Sequence, residues 1–320
     1  MLAPAILAGL AAATAPASAP AQDAYPSRTV EVVVPFAAGG GTDLLARLLC
    51  DGLSRRLDQS FVVLNRAGAN TNVGTLSVVK SKPDGYTLAM ASIGLAANPA
   101  LYKKLGFDPL TDLAPITLIA NAPTILVVAP SVPASSLAEL IALLKARPGK
   151  LNYASYGVGS GPHLAAELFR QATGTEIVHV PFSGGAPAAV GVMSNNVEML
   201  FSSILPVLGQ IRSSGLKPIA VASERRSPLL PDVPTFAESG VDYRTGTWFG
   251  LLAPARTPDA VIATLHRETA DVLADPDVRA KITEQGGEVV GNSPAAFRAF
   301  LKEETDRLSA VIRRANIQVD

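Results

Sequence analysis

The hydrophobic residues of this chain fall into short runs, separated by glycine-rich breaks and by stretches with a helical period. Val30 to Pro35 is a β-branched run that predicts a buried strand. Gly39-Gly40-Gly41 ends the run, and Thr42-Asp43 then offers a helix N-cap. The leucines that follow share one helical face: Leu44, Leu45, Leu48, Leu49, Leu53 and Leu57. We therefore expect a strand, a glycine loop and a helix in this order.

The same order returns later in the chain. Phe61 to Leu64 and Tyr86 to Met90 predict two more strands. Leu151 to Ser155 predicts a strand, and a loop over 157–161 leads to a helix that starts at Pro162. Strands that alternate with helices are typical of parallel sheets covered by helices on both faces. We expect two such α/β halves.

Extended segments are also predicted outside these units. Ile116 to Ile119 and Thr124 to Val128 are two of them, with Pro123 between. Ile177 to Val180 predicts a strand that ends in the loop Pro181-Phe182-Ser183-Gly184-Gly185.

The N-terminal stretch differs in composition from the rest. Met1 to Ala21 carries no charge and is almost entirely Ala, Leu, Ile and Pro. Ala19-Pro20-Ala21 places small residues at the spacing that a signal peptidase reads. We expect a signal peptide over residues 1–21 with an incomplete n-region, because no Lys or Arg precedes the apolar run; a disordered Ala/Pro tail is the alternative. No other segment is long and apolar enough to span a bilayer, so we expect a soluble mature chain.

Size and charge narrow the class of protein. The chain has 320 residues, with Lys+Arg 27 and Asp+Glu 27, and its length predicts two domains. A net charge of zero without a basic block argues against nucleic acid or an anionic membrane as partner. The lone Cys50 lies in the leucine-rich helix, where we expect a small buried hydrophobic residue.

Two of the glycine loops suit an anion. At each, a strand ends, glycines turn the backbone, and a helix N-terminus directs free N–H groups at the loop. The first is Pro35 to Asp43 and the second is Gly157 to His163. Glycines at such turns can also serve tight packing alone.

Signs of catalysis are weak. Neither loop matches a P-loop or a dinucleotide fingerprint, and the sequence has no nucleophile elbow. The three histidines lack metal-ligand spacing. We expect His163 to brace its glycine loop; His179 points either to a cleft or into packing. No catalytic residue, metal or cofactor is predicted.

An ordered series of motifs resembles one family. They are Val34-Pro35-Phe36-x-x-Gly39-Gly40-x-x-Asp43; Lys82-Pro83-Asp84-Gly85-Tyr86-Thr87-Leu88; Leu151-Asn152-Tyr153-Ala154-Ser155 with Gly157-x-Gly159-x-x-Pro162-His163-Leu164; Val180-Pro181-Phe182-x-Gly184-x-Ala186-Pro187-Ala188; Ser227-Pro228-x-Leu230-Pro231-Asp232-Val233-Pro234-Thr235; and Trp248-Phe249-Gly250-Leu251-Leu252-Ala253-Pro254. In order and spacing they resemble the substrate receptors of tripartite tricarboxylate transporters, the Bug-type extracytoplasmic binding proteins. The similarity runs from about Tyr25 to the C-terminus.

The resemblance implies an α/β fold of the class II periplasmic-binding-protein type, with a ligand cleft between two lobes. Two crossover strands near Pro123 and Thr247 would join them. Lobe 1 would comprise residues 25–123 and 247–320, and lobe 2 residues 124–246.

The resemblance also implies a function. The protein would be a monomeric, non-enzymatic receptor in the periplasm of a Gram-negative cell, exported by a Sec-type route. It would capture a di- or tricarboxylate, an aromatic carboxylate or an amino acid, and deliver it to the large and small integral membrane subunits of a tripartite carrier. A periplasmic sensor that reports the ligand to a signalling partner needs the same cleft and stays open as an alternative, as does a secreted enzyme on this fold.

Three loops would supply most of the ligand contacts. The first loop holds Phe36, Ala38, Gly39, Gly40 and Thr42, with Asp43 bracing it; the second holds Ser155, Tyr156, Gly157, Gly159 and Ser160, with His163 at its helix start; the third holds Phe182, Ser183, Gly184 and Ala186; Ser92 and Ser202 complete the set. Apolar contact to the ligand is expected from Phe36, Phe182 or Trp248.

The chain departs from the family pattern at three places. Asn70 and Thr71 stand in a segment that is usually glycine-rich, which predicts a different ligand choice. Ser183 stands where a lysine is common, which argues against a strongly anionic distal group on the ligand. Ala37-Ala38 replaces Pro-Pro and makes the first loop less rigid.

Overall fold

The structure is a computed structural model that describes residues 25–36, 38–39, 41–182, 185–243 and 245–319. The signal peptide predicted over residues 1–21 lies outside these ranges, as do Gly40, Ser183 and Gly184 of the predicted loops.

Strands and helices alternate along most of the chain. The strands are β1 Val30–Val34, β2 Phe61–Asn65, β3 Thr87–Ala91, β4 Leu113–Val128, β5 Asn152–Ser155, β6 Val178–Pro181, β7 Met199–Ser203, β8 Lys217–Val221, β9 Gly246–Pro254 and β10 Glu288–Val289. The helices are α1 Gly41–Leu57, α2 Asn72–Val79, α3 Ile93–Leu101, α4 Leu137–Ala146, α5 Gly161–Thr173, α6 Gly185–Met193, α7 Leu205–Arg212, α8 Asp259–Ala274, α9 Pro276–Glu284 and α10 Pro294–Arg314.

One long strand, β4, belongs to two sheets. The first sheet has the order β2-β1-β3-β9-β4 with β10 on β4, and the second has β4-β7-β5-β6 with β8 on β4. Residues Leu113 to Pro123 of β4 pair with β9, whereas Thr124 to Val128 pair with β7 and β8. The two extended segments predicted around Pro123 are therefore one strand, which changes partners just after this proline.

The expected parallel pairing is correct only within each half. β1 lies parallel to β2 and β3, and β5 lies parallel to β6 and β7. The expectation is wrong for the pairs β3 with β9, β4 with β9, and β4 with β7, which are antiparallel. The reason is that β4 and β9 carry the chain between the halves in opposite directions.

The two chain crossings lie very close together. Pro123 of β4 pairs with Gly246 of β9. A Cβ on Gly246 would lie 2.8 Å from the Ala122 carbonyl oxygen, so only glycine permits this approach.

Each sheet has its own hydrophobic core. The second sheet packs on one cluster with α4, α5 and α6, and the first sheet packs on two clusters, one on each face. The burial predicted for Cys50 is confirmed, since this residue of α1 is only 3% exposed and belongs to one of the core clusters of the first sheet. Burial raises the pKa of its thiol to about 12.

Candidate functional site

A buried carboxylate organises the first loop. One Asp43 oxygen accepts hydrogen bonds from the Gly39 N–H at 2.9 Å and from Arg47 Nε at 3.0 Å. The other oxygen accepts from Arg47 Nη2 at 3.1 Å and from Asn65 Nδ2 at 2.9 Å. Asn65 also donates to the Phe36 carbonyl at 3.1 Å. The Asn65 amide therefore holds the start of the loop at Phe36, and the Asp43 carboxylate holds its backbone at Gly39.

The helix start differs from the sequence expectation. α1 begins at Gly41, so Thr42 and Asp43 lie inside its first turn rather than at the N-cap. From there the Asp43 carboxylate reaches back and accepts a hydrogen bond from the N–H of Gly39, which lies in the loop before the helix. Thr42 is buried beside it, while Ala38 and Gly39 are exposed.

The ion pair makes the base of the first loop nearly neutral. Burial alone would raise the pKa of Asp43, but the hydrogen bonds from Arg47, Gly39 and Asn65 outweigh burial and lower it. Asp43 therefore stays ionised, with its charge directed at Arg47, whose side chain is 52% exposed. An anion near the exposed loop backbone meets little net repulsion.

The second loop is held by hydroxyl groups. Ser155 ends β5 fully buried, and its Oγ accepts from the Gly157 N–H at 3.1 Å. The Gly157 carbonyl accepts from Ser160 Oγ at 2.7 Å and from the Ser160 N–H at 3.2 Å. Ser160 is the N-cap of α5, whose first N–H groups have no intrahelical acceptors and lie beside this loop.

Histidines brace the second loop from below. The Gly159 N–H donates to His163 Nδ1 at 3.0 Å, which confirms the bracing role predicted for this histidine. The rings of His163 and His179 stack with centroids 3.9 Å apart, and His179 Nε2 lies 2.6 Å from Ser155 Oγ. His179 therefore packs under the loop, and Tyr153 continues the stack 5.0 Å further on.

This histidine stack is held neutral. Burial lowers the pKa of His163 to about 3, helped by the neighbouring His179 and Arg170. Burial also lowers the pKa of His179, against the opposing effect of Glu167. Both carboxylate oxygens of Glu167 already accept hydrogen bonds, one from the Tyr153 hydroxyl at 2.9 Å and the other from Arg170 at 2.7 Å.

The described part of the third loop rests on the second. The Phe182 N–H donates to the Ser155 carbonyl at 3.0 Å. The half-buried Phe182 ring packs on Gly191 of α6, where an added Cβ would lie 2.6 Å from the ring. Ala186 is exposed in the first turn of α6.

Hydroxyl groups also line a small cavity at the end of the second sheet. Tyr156 and Ser202 share a hydrogen bond of 2.6 Å between their oxygens. Both line a cavity of about 30 Å³ together with Gly161, Gly246 and Thr247. Pockets for drug-sized ligands hold roughly 300–1,000 Å³, so this cavity is much smaller than such a pocket. Ser92, the buried N-cap of α3, does not line it.

The second loop touches elements of the first sheet. Gly159 lies against Leu101, such that an added Cβ would be 2.7 Å from Leu101 Cδ1. A Cβ on Gly161 would meet Thr247 Oγ1 at 3.4 Å and Ile93 Cγ2 at 3.5 Å. Sequence reasoning missed Ile93 and Leu101, because α3 has no polar face that would mark it as a helix.

A larger cavity of about 580 Å³ contains none of the predicted loop residues. It is lined by the crossing strands, the end of β8 and α10. Trp248 lies at its wall, 2% exposed and packed edge-on against Phe297 and Phe300. β9 therefore turns this ring towards α10, and the apolar ligand contact expected from Phe36, Phe182 or Trp248 stays a prediction.

Comparison with known proteins decides the family. A sequence model described as the tripartite tricarboxylate transporter family receptor matches residues 45–317. The chain belongs to this receptor family. Its members are solute-binding receptors, so this receptor is a binding protein and not an enzyme.

Full-length relatives of the receptor agree with its fold. BugT of Bordetella pertussis is 36% identical over 315 residues, which cover 97% of this chain and 97% of BugT. The structure of R. palustris Rpa4515 with adipate is 36% identical, has a TM-score of 0.84, and covers 92% of this chain and 100% of that chain. MatC from Rhodopseudomonas palustris with bound malate is 31% identical, has a TM-score of 0.79, and covers 90% of this chain and 100% of that chain. The two-lobe periplasmic-binding-protein fold is thereby established for the receptor.

Two further features concern the described residues only. Within residues 25–319, apart from the gaps given above, no three His, Cys, Asp or Glu side chains are grouped to hold a metal ion. None of the described helices combines the length and hydropathy that a membrane span needs.

Proposed function

We propose that this receptor captures a small carboxylate in the periplasm and hands it to the membrane subunits of a tripartite carrier. The carboxylate would lie between the lobes, in contact with the first loop on one side and the second and third loops on the other. Lobe 1 would comprise residues 25–123 and 247–320, and lobe 2 residues 124–246. The change of sheet between Pro123 and Thr124 supports this division.

The observation that carries the proposal is the chemistry of the second loop. It presents the N–H groups at the start of α5, which lack intrahelical acceptors, together with the hydroxyl pair of Tyr156 and Ser202, and neutral donors of this kind bind carboxylates without a cation. The sequence of the three loops contains no Lys or Arg. Two relatives of similar fold hold the dicarboxylates adipate and malate.

The number of donors is sufficient for useful affinity. A dissociation constant of 1 μM corresponds to about 8 kcal/mol. Each hydrogen bond to a charged carboxylate contributes roughly 1.5–3 kcal/mol net. Three or four such bonds, with apolar contact from Phe36 or Phe182, reach that value without a salt bridge.

A ligand panel tests the proposal. Adipate, malate, citrate, benzoate and glutamate are added to the purified receptor, and the melting temperature and calorimetric heat are measured. We expect at least one acid to bind. At a hundredfold excess over its dissociation constant, it should add about 2.7 kcal/mol of stability.

Uncharged analogues are the matched controls for this panel. The diamide or dimethyl ester of the acid that binds has nearly the same shape but lacks anionic oxygens, so it should not stabilise the receptor. Equal stabilisation by acid and ester would overturn the carboxylate proposal. Deleting the receptor gene should also abolish uptake of the labelled acid; unchanged uptake would favour a sensor role.

A further inference from the structure

A strained segment of the first sheet reaches the second loop. Between β2 and α2, four consecutive residues have positive φ: Gly68 at 139°, Ala69 at 45°, Asn70 at 46° and Thr71 at 81°. Three of these are not glycine, and left-handed conformations cost such residues free energy. A conformation of this kind persists only where surrounding contacts hold it.

The contacts that hold this segment come from α3. Asn98 is fully buried, and its Nδ2 donates to the Asn70 carbonyl at 2.6 Å and to Asn72 Oδ1 at 2.6 Å. Its Oδ1 accepts from Asn70 Nδ2 at 2.7 Å. Gly94 leaves room for the segment, because an added Cβ there would lie 3.1 Å from Thr71 Oγ1. The segment is therefore seated on α3 by a closed amide network.

Held in this position, the side-chain amide of Asn70 directs one hydrogen towards the second loop, which belongs to the other half of the protein. Asn70 Nδ2 carries two hydrogens, and Asn98 takes one of them. The same nitrogen lies 3.5 Å from the Gly159 carbonyl oxygen of the second loop. This carbonyl is on the residue that also packs against Leu101 of α3. Asn70 and Leu101 thus form a polar and an apolar contact to one glycine.

We propose that Asn70 is a closure contact: its side chain, fixed by Asn98, binds the Gly159 carbonyl and stabilises the closed arrangement of the two halves. The 3.5 Å separation is longer than a relaxed hydrogen bond, so a small further closure shortens it. The contact uses a carbonyl group and leaves the N–H groups at the start of α5 for a ligand. The role in ligand capture rests on the proposed function; the closure contact does not.

Thr71 provides a matched control for Asn70. Replacing either residue by glycine removes a side chain from a left-handed position and relieves the same kind of strain. Only Asn70→Gly removes the contact with Gly159. Asn70→Asp keeps the size of the side chain but replaces the donor with an acceptor that repels the carbonyl.

Distances between spin labels on α1 and α6, introduced by Leu44→Cys and Val190→Cys, test the contact without any ligand. These side chains are 42% and 59% exposed, and the buried Cys50 will not label. We expect Asn70→Gly and Asn70→Asp to shift the population towards longer distances, and Thr71→Gly to leave it unchanged. A wild-type distribution in both Asn70 variants, or an equal shift in Thr71→Gly, would overturn the proposal.

A second readout joins the closure contact to ligand capture. If adipate or malate binds, Asn70→Gly should speed its dissociation about fivefold, because a closed receptor releases its ligand slowly. Unchanged dissociation despite shifted distances would overturn the role in capture and leave the contact itself standing. If no acid binds the wild type, the proposed function fails, while the label distances still decide the closure contact.

Discussion

The first and second loops are turns of the same kind, but different side chains stabilise them. Both are strand-to-helix turns at the carboxyl end of a parallel strand, and in both a side chain on the helix's first turn accepts a loop N–H. In the first loop the acceptor is the ionised Asp43, neutralised by Arg47. In the second it is the neutral His163, stacked on His179.

This difference indicates how each loop responds to its surroundings. The carboxylate brace depends on a charge pair with a half-exposed arginine, so salt and strong acid weaken it. The imidazole brace depends on burial and neutrality, so salt should hardly affect it, and mild acid should act on it only by favouring the unfolded chain, whose histidines take up protons. Among the described glycines of the two loops, Gly159 is the most tightly packed, and it touches the other half of the receptor.

Gly159→Ala should have the largest effect. Alanine at φ 75° costs about 1 kcal/mol, and its Cβ at 2.7 Å from Leu101 costs roughly another 2 kcal/mol in the closed state. We expect affinity for the acid that binds to fall at least tenfold by calorimetry.

Gly174→Ala is the matched control for this change. Gly174 has φ 62°, but nothing lies within 4 Å of an added Cβ. It should lose a similar amount of stability from backbone strain and keep its affinity. The double variant Gly159→Ala with Leu101→Ala should recover part of the affinity; no recovery would show that the contact with Leu101 is unimportant.

Asp43→Asn should destabilise the receptor by about 2 kcal/mol, because the amide loses charge-assisted bonds to Arg47 and the Gly39 N–H. Chemical denaturation measures this. Asp51→Asn removes a similarly spaced pair with Arg55 on the same helix, but both partners are more than half exposed, so it should cost under about 0.5 kcal/mol. Equal losses of unfolding free energy in the two variants would mean that the ion pair of Asp43 contributes no more than the exposed pair of Asp51.

Mild acid should lower the stability of the folded receptor through His163 before it does so through Asp43. Below about pH 6.5 an unfolded histidine takes up a proton, but folded His163 stays neutral until about pH 3. Its contribution to stability is therefore complete above pH 6.5 and is lost as the pH falls towards 3, by up to about 1.4 kcal/mol per pH unit.

The carboxylate brace follows a different window. The lowered pKa of Asp43 means that its contribution is lost only as the pH falls below about 4. Melting temperatures between about pH 5.5 and 6.5, above the range in which carboxylates titrate, therefore report on the histidines. His163→Asn keeps an acceptor near the Gly159 N–H and should flatten the profile in this window; an unchanged slope would count against the histidine brace.

Tyr156→Phe should have the smallest effect. It removes one hydrogen bond to Ser202, worth about 1 kcal/mol, and lowers ligand affinity a fewfold. Tyr243→Phe is the control, because it removes a buried hydroxyl bond to the Ala165 carbonyl at a similar cost. Tyr243→Phe should leave affinity unchanged, and an equal loss in both variants would exclude a specific role for Tyr156 at the cleft.

The strand-loop-helix units were predictable because their periods are clear. β1 is a β-branched run, β1 and β5 are each followed by a glycine-rich loop, and α1 carries a leucine face. In contrast, α3 was not predicted, because it is buried almost all round between the first sheet and α10, contains Pro99 and has no polar face. Because α3 was not predicted, the hydrogen bonds between its Asn98 and Asn70 could not be predicted either.

The site was predictable to the extent that local pattern determines it. Asp43 and His163 stand at the start of helices, where a bracing role follows from unpaired N–H groups. The direction of Trp248 towards α10, and the contact of Gly159 with Leu101, depend on how β4 and β9 cross, which no local pattern encodes.

The central claim is that the two halves close on a carboxylate, and the Leu44→Cys and Val190→Cys spin labels measure this directly. With saturating adipate or malate, or the other panel acid that binds, we predict a single narrow distribution at the short-distance end of the ligand-free one. The matching diamide at equal concentration should leave the ligand-free distribution unchanged. A distribution that does not move when calorimetry shows the acid to be bound would contradict the account.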